Sequence, residues 1–356
     1  MLKSNLAPSL ALLADIVRNP AFRDADIERV RAQWLAGIAQ EKTDPGSLAL
    51  RMLPPLLYGA GHPYAIPFTG SGTEASIQSL NADDMRAWHA AWLRPDNVRI
   101  LVAGDTTLAE ITKQLDAAFG DWKAPAVAKG TKQIPTVADQ AKPRVYLIDK
   151  PGAQQSLILA GELAPPTTVA NNLEIQTMNG AFGGAFTSRL NMNLREDKHW
   201  AYGAGAFFTD ALGQRPYLFY APVQTDKTAE SAAELLKESR AIVGDRPLAA
   251  AEIEKIKAND VRSLPGTYET AASVLSALST NALFGRPDDY VSTLKQRTEA
   301  QTDDNVRAAA KAVIKPDALT WVIVGDLSKI EQPVRALKLG ETIVVDADGK
   351  PVATGK

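Results

Sequence analysis

Three imidazoles, one glycine-rich run and one arginine–tyrosine spacing are the chemical resources of this 356-residue chain. The imidazoles are His62, His89 and His199, and no two have the helical spacing that puts both rings on one face. A His-His-carboxylate zinc site inside the chain is therefore not expected. There is no cysteine, which excludes disulfides, thiol nucleophiles and thiolate metal sites. His62, in a Gly-His-Pro-Tyr loop, fits a local turn bond, and His89, between Trp88 and Trp92, fits packing. His199 either borders a cleft or caps a helix end. Gly180, Gly183 and Gly184 interrupt a helical pattern, through a kink or helix packing on one reading and close backbone approach to a substrate on the other. On residue type alone, the run Arg195-Glu196-Asp197-Lys198 reads as a solvated helix end and Tyr202 as a core aromatic.

Composition narrows the partners. Hydrophobic residues make 45% and charged residues 22%, an ordinary globular balance, and the length suits two domains. The net charge is −2 and no lysine-arginine stripe forms, so a nucleic-acid or anionic-membrane surface is not expected. No apolar run reaches the length of a membrane span. Residues 1–20 carry Pro8 and Asp15 and no signal-type core, so any targeting segment is expected outside them.

Periodicity supplies the elements that must position these residues. Helices are expected over 7–18, 25–42 (Ile27, Val30, Trp34, Leu35 and Ile38 on one side), 47–57, 81–92 and 108–119. Residues 98–103 read as a buried strand. Residues 123–143 mix Pro, Ala, Gly and Lys without period, and 126–143 are assigned as a linker. Beyond it, strands are expected at 145–149, 156–160, 202–208, 217–223 and 319–324, and one long helix at 170–194. Further helices fall at 226–243, 249–263, 267–284 and 302–313, and a final strand and turn close the chain.

An internal repeat organises this order. Arg94-Pro95-Asp96-Asn97, a strand, then Gly104-Asp105 and a helix recur 221 positions later as Lys315-Pro316-Asp317-Ala318, a strand, then Gly325-Asp326 and a helix. Asp26-Ile27-Glu28-Arg29 is echoed by Glu252-Ile253-Glu254-Lys255, 226 positions on. A repeat of this length is a domain duplication. The second copy has about 80 residues, 144 to 223, that the first lacks. The first copy (1–125) is thus expected to start mid-domain, while the second (144–341) is complete and 342–356 form a strand and tail. A truncated sheet would expose apolar edge and face unless other polypeptide covers it.

The most specific stretch is Gly183-Gly184-Ala185-Phe186-Thr187-Ser188-Arg189-Leu190, then Leu194-Arg195-Glu196-Asp197-Lys198 and Ala201-Tyr202. It resembles the non-zinc half of the pitrilysin/insulinase-type (inverzincin) zinc metallopeptidases. Asn19-Pro20-Ala21-Phe22, Gly61-His62-Pro63-Tyr64, Arg94-Pro95-Asp96-Asn97 and Phe119-Gly120-Asp121-Trp122 are similar to family segments in the same order. The resemblance implies that Arg195 and Tyr202, seven apart, reach the scissile peptide, with Gly183 and Gly184 beside them as substrate-binding residues. Arginine offers fixed N–H donors to peptide carbonyls, and a tyrosine hydroxyl can donate to an oxyanion. The family's H-x-x-E-H zinc motif is absent. Where its third metal ligand and assisting glutamate would fall, this chain has Gly37 and Val30, which can neither bind metal nor take a proton.

The expected fold is α+β: tandem duplicated metallopeptidase-family domains, each a mixed, antiparallel-rich sheet with helices packed on it, the first truncated at its N-terminus. The expected function is the substrate-binding half of a zinc endopeptidase working in a closed chamber. Catalytic and metal residues are absent from the chain, zinc sits in the parent or a partner half, and the chain alone is inactive. Partners are that zinc-bearing N-terminal half or subunit and a peptide substrate. The expected compartment is the periplasm. Two alternatives stay open: a non-catalytic structural or interaction subunit of the same fold, and a self-contained protease whose zinc motif lies outside these residues.

Overall fold

The computed structural model describes residues 2–352. In chain order, helices α1 (Leu6–Arg18), α2 (Asp24–Thr43), α3 (Pro45–Tyr58), α4 (Glu74–Ser79), α5 (Ala82–Trp92) and α6 (Leu108–Phe119) come first. Strands β1 (Arg144–Asp149) and β2 (Gln155–Ala164), helices α7 (Asn172–Asn179) and α8 (Arg189–Asn191), and strands β3 (Gly205–Phe208) and β4 (Arg215–Gln224) follow. Then come α9 (Thr228–Val243), α10 (Ala250–Thr267), α11 (Ala271–Phe284), α12 (Tyr290–Glu299), α13 (Asp303–Val313), β5 (Thr320–Gly325), α14 (Leu327–Ala336) and β6 (Glu341–Val345).

Many starts are chemically marked. Asp44 accepts from the Ser47 N–H with proline at the first position of α3. Thr73, Asn81, Thr107 and Thr270 close reciprocal capping boxes at α4, α5, α6 and α11.

Two compact units emerge, and they do not follow the sequence boundaries at 125 and 144. One gathers residues 1–38, 73–133 and 265–286; the other gathers 39–72, 134–264 and 287–356.

The second unit holds a six-stranded sheet of order β3-β4-β2-β5-β1-β6. β3–β4, β4–β2 and β2–β5 pair antiparallel, while β1 pairs parallel with both β5 and β6. Alternate residues feed two cores, as strand geometry requires. Val145, Leu147, Ile158, Phe219, Trp321 and Ile323 point to one face and pack with α7, α9, α13 and α14. Tyr146, Ile148, Leu157, Leu159, Val322 and Val324 point to the other, where α3 covers them with Leu48, Met52, Leu53 and Leu57.

The first unit is helical among the described residues. α1 packs on α6, Arg18 donates to the Ala118 carbonyl at 3.0 Å, and Arg94 is buried against Asp96 and the Val127 carbonyl. Residues 98–103 correct one expectation. They form no strand: no ladder pairs with them, and Val98, Ile100 and Val102 lie exposed. Their alternation carries strand propensity, but a lone strand without cross-strand partners has nothing to stabilise it. The expected helix at 170–194 is also corrected; it is broken into α7, a π-helical turn, a short loop and α8.

Candidate functional site

The broken helix builds the site. After α7 the chain enters a π-helical turn at Gly180–Gly184, runs extended at Ala185, and resumes in α8 and a second π-helical turn, Met192–Asp197. π-turns widen a helix by one residue per turn and recur at functional sites. Glycine makes the first turn possible. A Cβ on Gly183 would come within 2.5 Å of the Ala206 nitrogen, and one on Gly205 within 2.6 Å of the Gly183 carbonyl oxygen. The turn and the edge strand β3 therefore lie backbone to backbone. Gly183 is buried by that contact, whereas Gly184 stays exposed.

Polar contacts fix the segment. Arg189 makes two bonds to Glu252, at 2.7 and 2.6 Å, and also donates to the Pro247 carbonyl. Asn191 bridges two loops, donating to the Phe186 carbonyl at 2.6 Å and accepting from the Ala204 N–H at 3.2 Å. Asn193 donates to Glu234 and Glu238.

Arg195 and Tyr202 meet in this frame. Arg195 sits in the second π-turn, and Tyr202 follows an isolated bridge between Ala201 and Val223 rather than lying in a strand. The Arg195 guanidinium carbon is 5.3 Å from the centre of the Tyr202 ring and 4.5 Å from that of Phe186. Two aromatic faces on one guanidinium form a cation–π cluster that orients it while leaving its N–H edges available. Its charged contact among the described residues is Glu196 Oε1, 3.4 Å from Nε. Tyr202 is 86% exposed and is no core aromatic. Phe186, also exposed, is the member of the cluster that sequence reasoning missed. Its signal was an aromatic two residues beyond the glycine pair, nine before Arg195.

Tyr202 stands on an open groove of about 530 Å³. Asn179, Gly183, Gly184, Phe207 and Tyr220 line it with Tyr202, next to β3, whose outer edge pairs with no strand among the described residues. Arg195 does not line the groove; it reaches that surface beside the tyrosine ring. The surface thus offers an aromatic wall, a cation and an unpaired strand edge, features able to take extended peptide.

The histidines have local roles. His62 bonds the Pro135 carbonyl through Nε2, accepts the Tyr64 N–H, and stacks on Tyr58 at 4.8 Å. His89 Nε2 lies 2.7 Å from the Val17 carbonyl oxygen. His199 has a left-handed backbone, φ 58°, and its Nδ1 is 3.1 Å from the Arg195 carbonyl oxygen, so it closes the π-turn. Among the described residues no three His, Cys, Asp or Glu side chains cluster to hold a metal.

Comparisons with known proteins agree with this architecture. The Rickettsia bellii protein described as an uncharacterized zinc protease is 25% identical over 329 residues, 90% of this chain and 77% of that protein. The crystal structure of a peptidase M16 inactive domain from Pseudomonas fluorescens superposes with a TM-score of 0.80 at 22% identity, covering 91% of this chain and 75% of that one. The periplasmic protease PqqL from Escherichia coli matches 100% of this chain with 41% of its own, at TM-score 0.73 and 14% identity. No helix among the described residues is long and apolar enough to cross a membrane. The model of the peptidase M16 inactive domain matches residues 79–259, half of the chain, and the match takes in the groove, both π-turns, Arg195 and Tyr202. The chain therefore belongs to the peptidase M16 inactive-domain family.

Proposed function

We propose that this chain is the substrate-holding, non-zinc half of a zinc endopeptidase that cuts peptides in a closed chamber. The observation that carries the reading is the Arg195–Tyr202–Phe186 cluster at the rim of the groove. Arg195 donates to carbonyls of bound peptide, and the Tyr202 hydroxyl, held by no protein hydrogen bond among the described residues, donates to the oxyanion formed at the zinc-bearing half. Gly183 and Gly184 keep the groove floor at backbone level. Zinc and the water-activating glutamate come from the other half, a parent segment or a partner subunit. PqqL, of which this chain matches less than half, supports an assembly of that size. The reading puts the chain in the periplasm, the compartment named for PqqL.

The test compares kinetics in the complete peptidase. Arg195→Ala and Tyr202→Phe should each lower kcat/KM by about ten- to a thousandfold, with the melting temperature unchanged. Wild-type kinetics in both variants would remove the pair from the site. The isolated chain should take up no stoichiometric zinc and release no product from an unfolded casein substrate; tight zinc with turnover would defeat the reading.

A further inference from the structure

Asn179 ends α7, where the regular helix gives way to the first π-turn, yet its side chain makes no capping bond there. It is only 8% exposed. A buried amide carries an acceptor and two N–H donors, and both kinds call for partners. The acceptor has one: the Tyr217 hydroxyl donates to Oδ1 at 2.9 Å. The Nδ2 donors have none among the described residues.

Tyr217 is placed to hold that amide. It is fully buried on β4, stacked on Phe208 at 4.3 Å and edge-on to Phe219 at 5.0 Å. A phenol so packed has one position, and its hydroxyl makes no other hydrogen bond among the described residues. With Oδ1 fixed by that bond, Nδ2 takes the opposite side of the amide. There the groove opens: Asn179 lines it, and a Cβ on Gly184 would stand 2.9 Å from Nδ2. Glycine at 184 leaves the donor uncovered.

The chemistry of the groove selects the acceptor. Among the described residues, none that line it is charged. Its walls are the rings of Tyr202, Phe207 and Tyr220 beside a run of small residues. A carboxylate would find no cation on this floor, whereas a neutral carbonyl matches a neutral amide donor. Every residue of an extended peptide offers such a carbonyl, so the contact holds main chain without reading side chains.

We infer that Asn179 is a further peptide-binding residue: its Nδ2 donates to a main-chain carbonyl of peptide in the groove, and Tyr217 is the positioning residue that holds the amide in the donating sense. The inference rests on the reading of this chain as a substrate-holding half.

Steady-state cleavage of unfolded casein by the complete peptidase separates the roles. Asn179→Asp keeps an acceptor for Tyr217 and removes the donors. Its KM should rise about tenfold or more, with kcat within about twofold of wild type. Tyr217→Phe keeps the donors and frees the amide to turn. Its KM should rise about three- to fivefold alone, and no further when added to Asn179→Asp. Wild-type KM in Asn179→Asp overturns the inference, as does a loss confined to kcat. Full additivity of the two substitutions overturns the role of Tyr217. Arg195→Ala and Tyr202→Phe run alongside. If these two impair turnover while Asn179→Asp retains its KM, the inference fails alone. If none of the three changes turnover, the peptidase reading fails with it.

Discussion

At the scale of single residues, a strongly perturbed carboxyl lies away from the groove. Glu162 on β2 is buried; its Oε2 accepts the Lys315 N–H at 2.8 Å, and its Oε1 has no partner. Desolvation pushes its pKa up to about 8, only partly opposed by the Lys315 bond and charge; Asp139, paired with Lys315 at 2.7 Å, pushes it further up. The folded protein keeps this proton up to about pH 8, whereas the unfolded chain gives it up near 4.5. Folding therefore takes up a proton between those values. This contribution to stability is full below about 4.5, falls as pH rises toward 8, and is level above, where both states are ionised. The change across that window is on the order of a few kcal/mol. Glu162→Gln should unfold with a flatter pH profile and gain stability over wild type at pH 8.5, while nearly matching it at pH 5. Urea titrations at intervals from pH 5 to 9 measure this, and parallel profiles for the two proteins would refute it.

At the scale of elements, the glycine pair separates two roles that residue type alone left joined. The Gly183 position is closed by backbone atoms of β3, which cannot yield without moving the strand. β3 is short and, among the described residues, pairs only with β4, so the strand is what shifts. Gly183→Ala should cost about 1–3 kcal/mol and disorder the groove edge. At Gly184 a Cβ would meet Asn179 Nδ2 at 2.9 Å, the end of a side chain, and the Asn179 carbonyl oxygen at 3.2 Å, so Gly184→Ala should cost less stability than Gly183→Ala. Equal losses of stability in chemical denaturation would contradict this assignment. The same elements show what periodicity can and cannot reveal. The amphipathic helices and the alternating strands around Ile158, Phe219 and Ile323 were legible because their partners impose a regular period. The π-turns were not, since a widened turn keeps the apolar spacing of a helix over a few residues. The segment 98–103 misled for the opposite reason: its local pattern is that of a strand, and strand formation depends on partners that no local pattern contains.

At the scale of the whole molecule, two helices of equal length at matched positions have opposite surroundings. α3 lies in the first half of the sequence but belongs to the unit holding β1–β6, and α11 lies in the second half but belongs to the helical unit. The seven-residue spacing of Arg195 and Tyr202 is a local pattern, whereas the placing of α3 and α11 in units built from distant parts of the sequence leaves no mark in composition. It makes a sharp stability prediction. Leu57 and Leu283 occupy matched positions 226 apart, one sealed against the sheet and the other in solvent. Leu57→Ala removes packed methyl groups and leaves a cavity, so it should lower the opening free energy of the six-stranded unit by about 2–4 kcal/mol. Leu283→Ala should change stability by less than about 0.5 kcal/mol, as surface truncations do. Hydrogen exchange of the β5 amides reads the first effect directly, because those central-strand amides are released only when the sheet opens as a whole. If both truncations cost the same, or if Leu57→Ala leaves β5 protection intact, α3 does not seal that sheet.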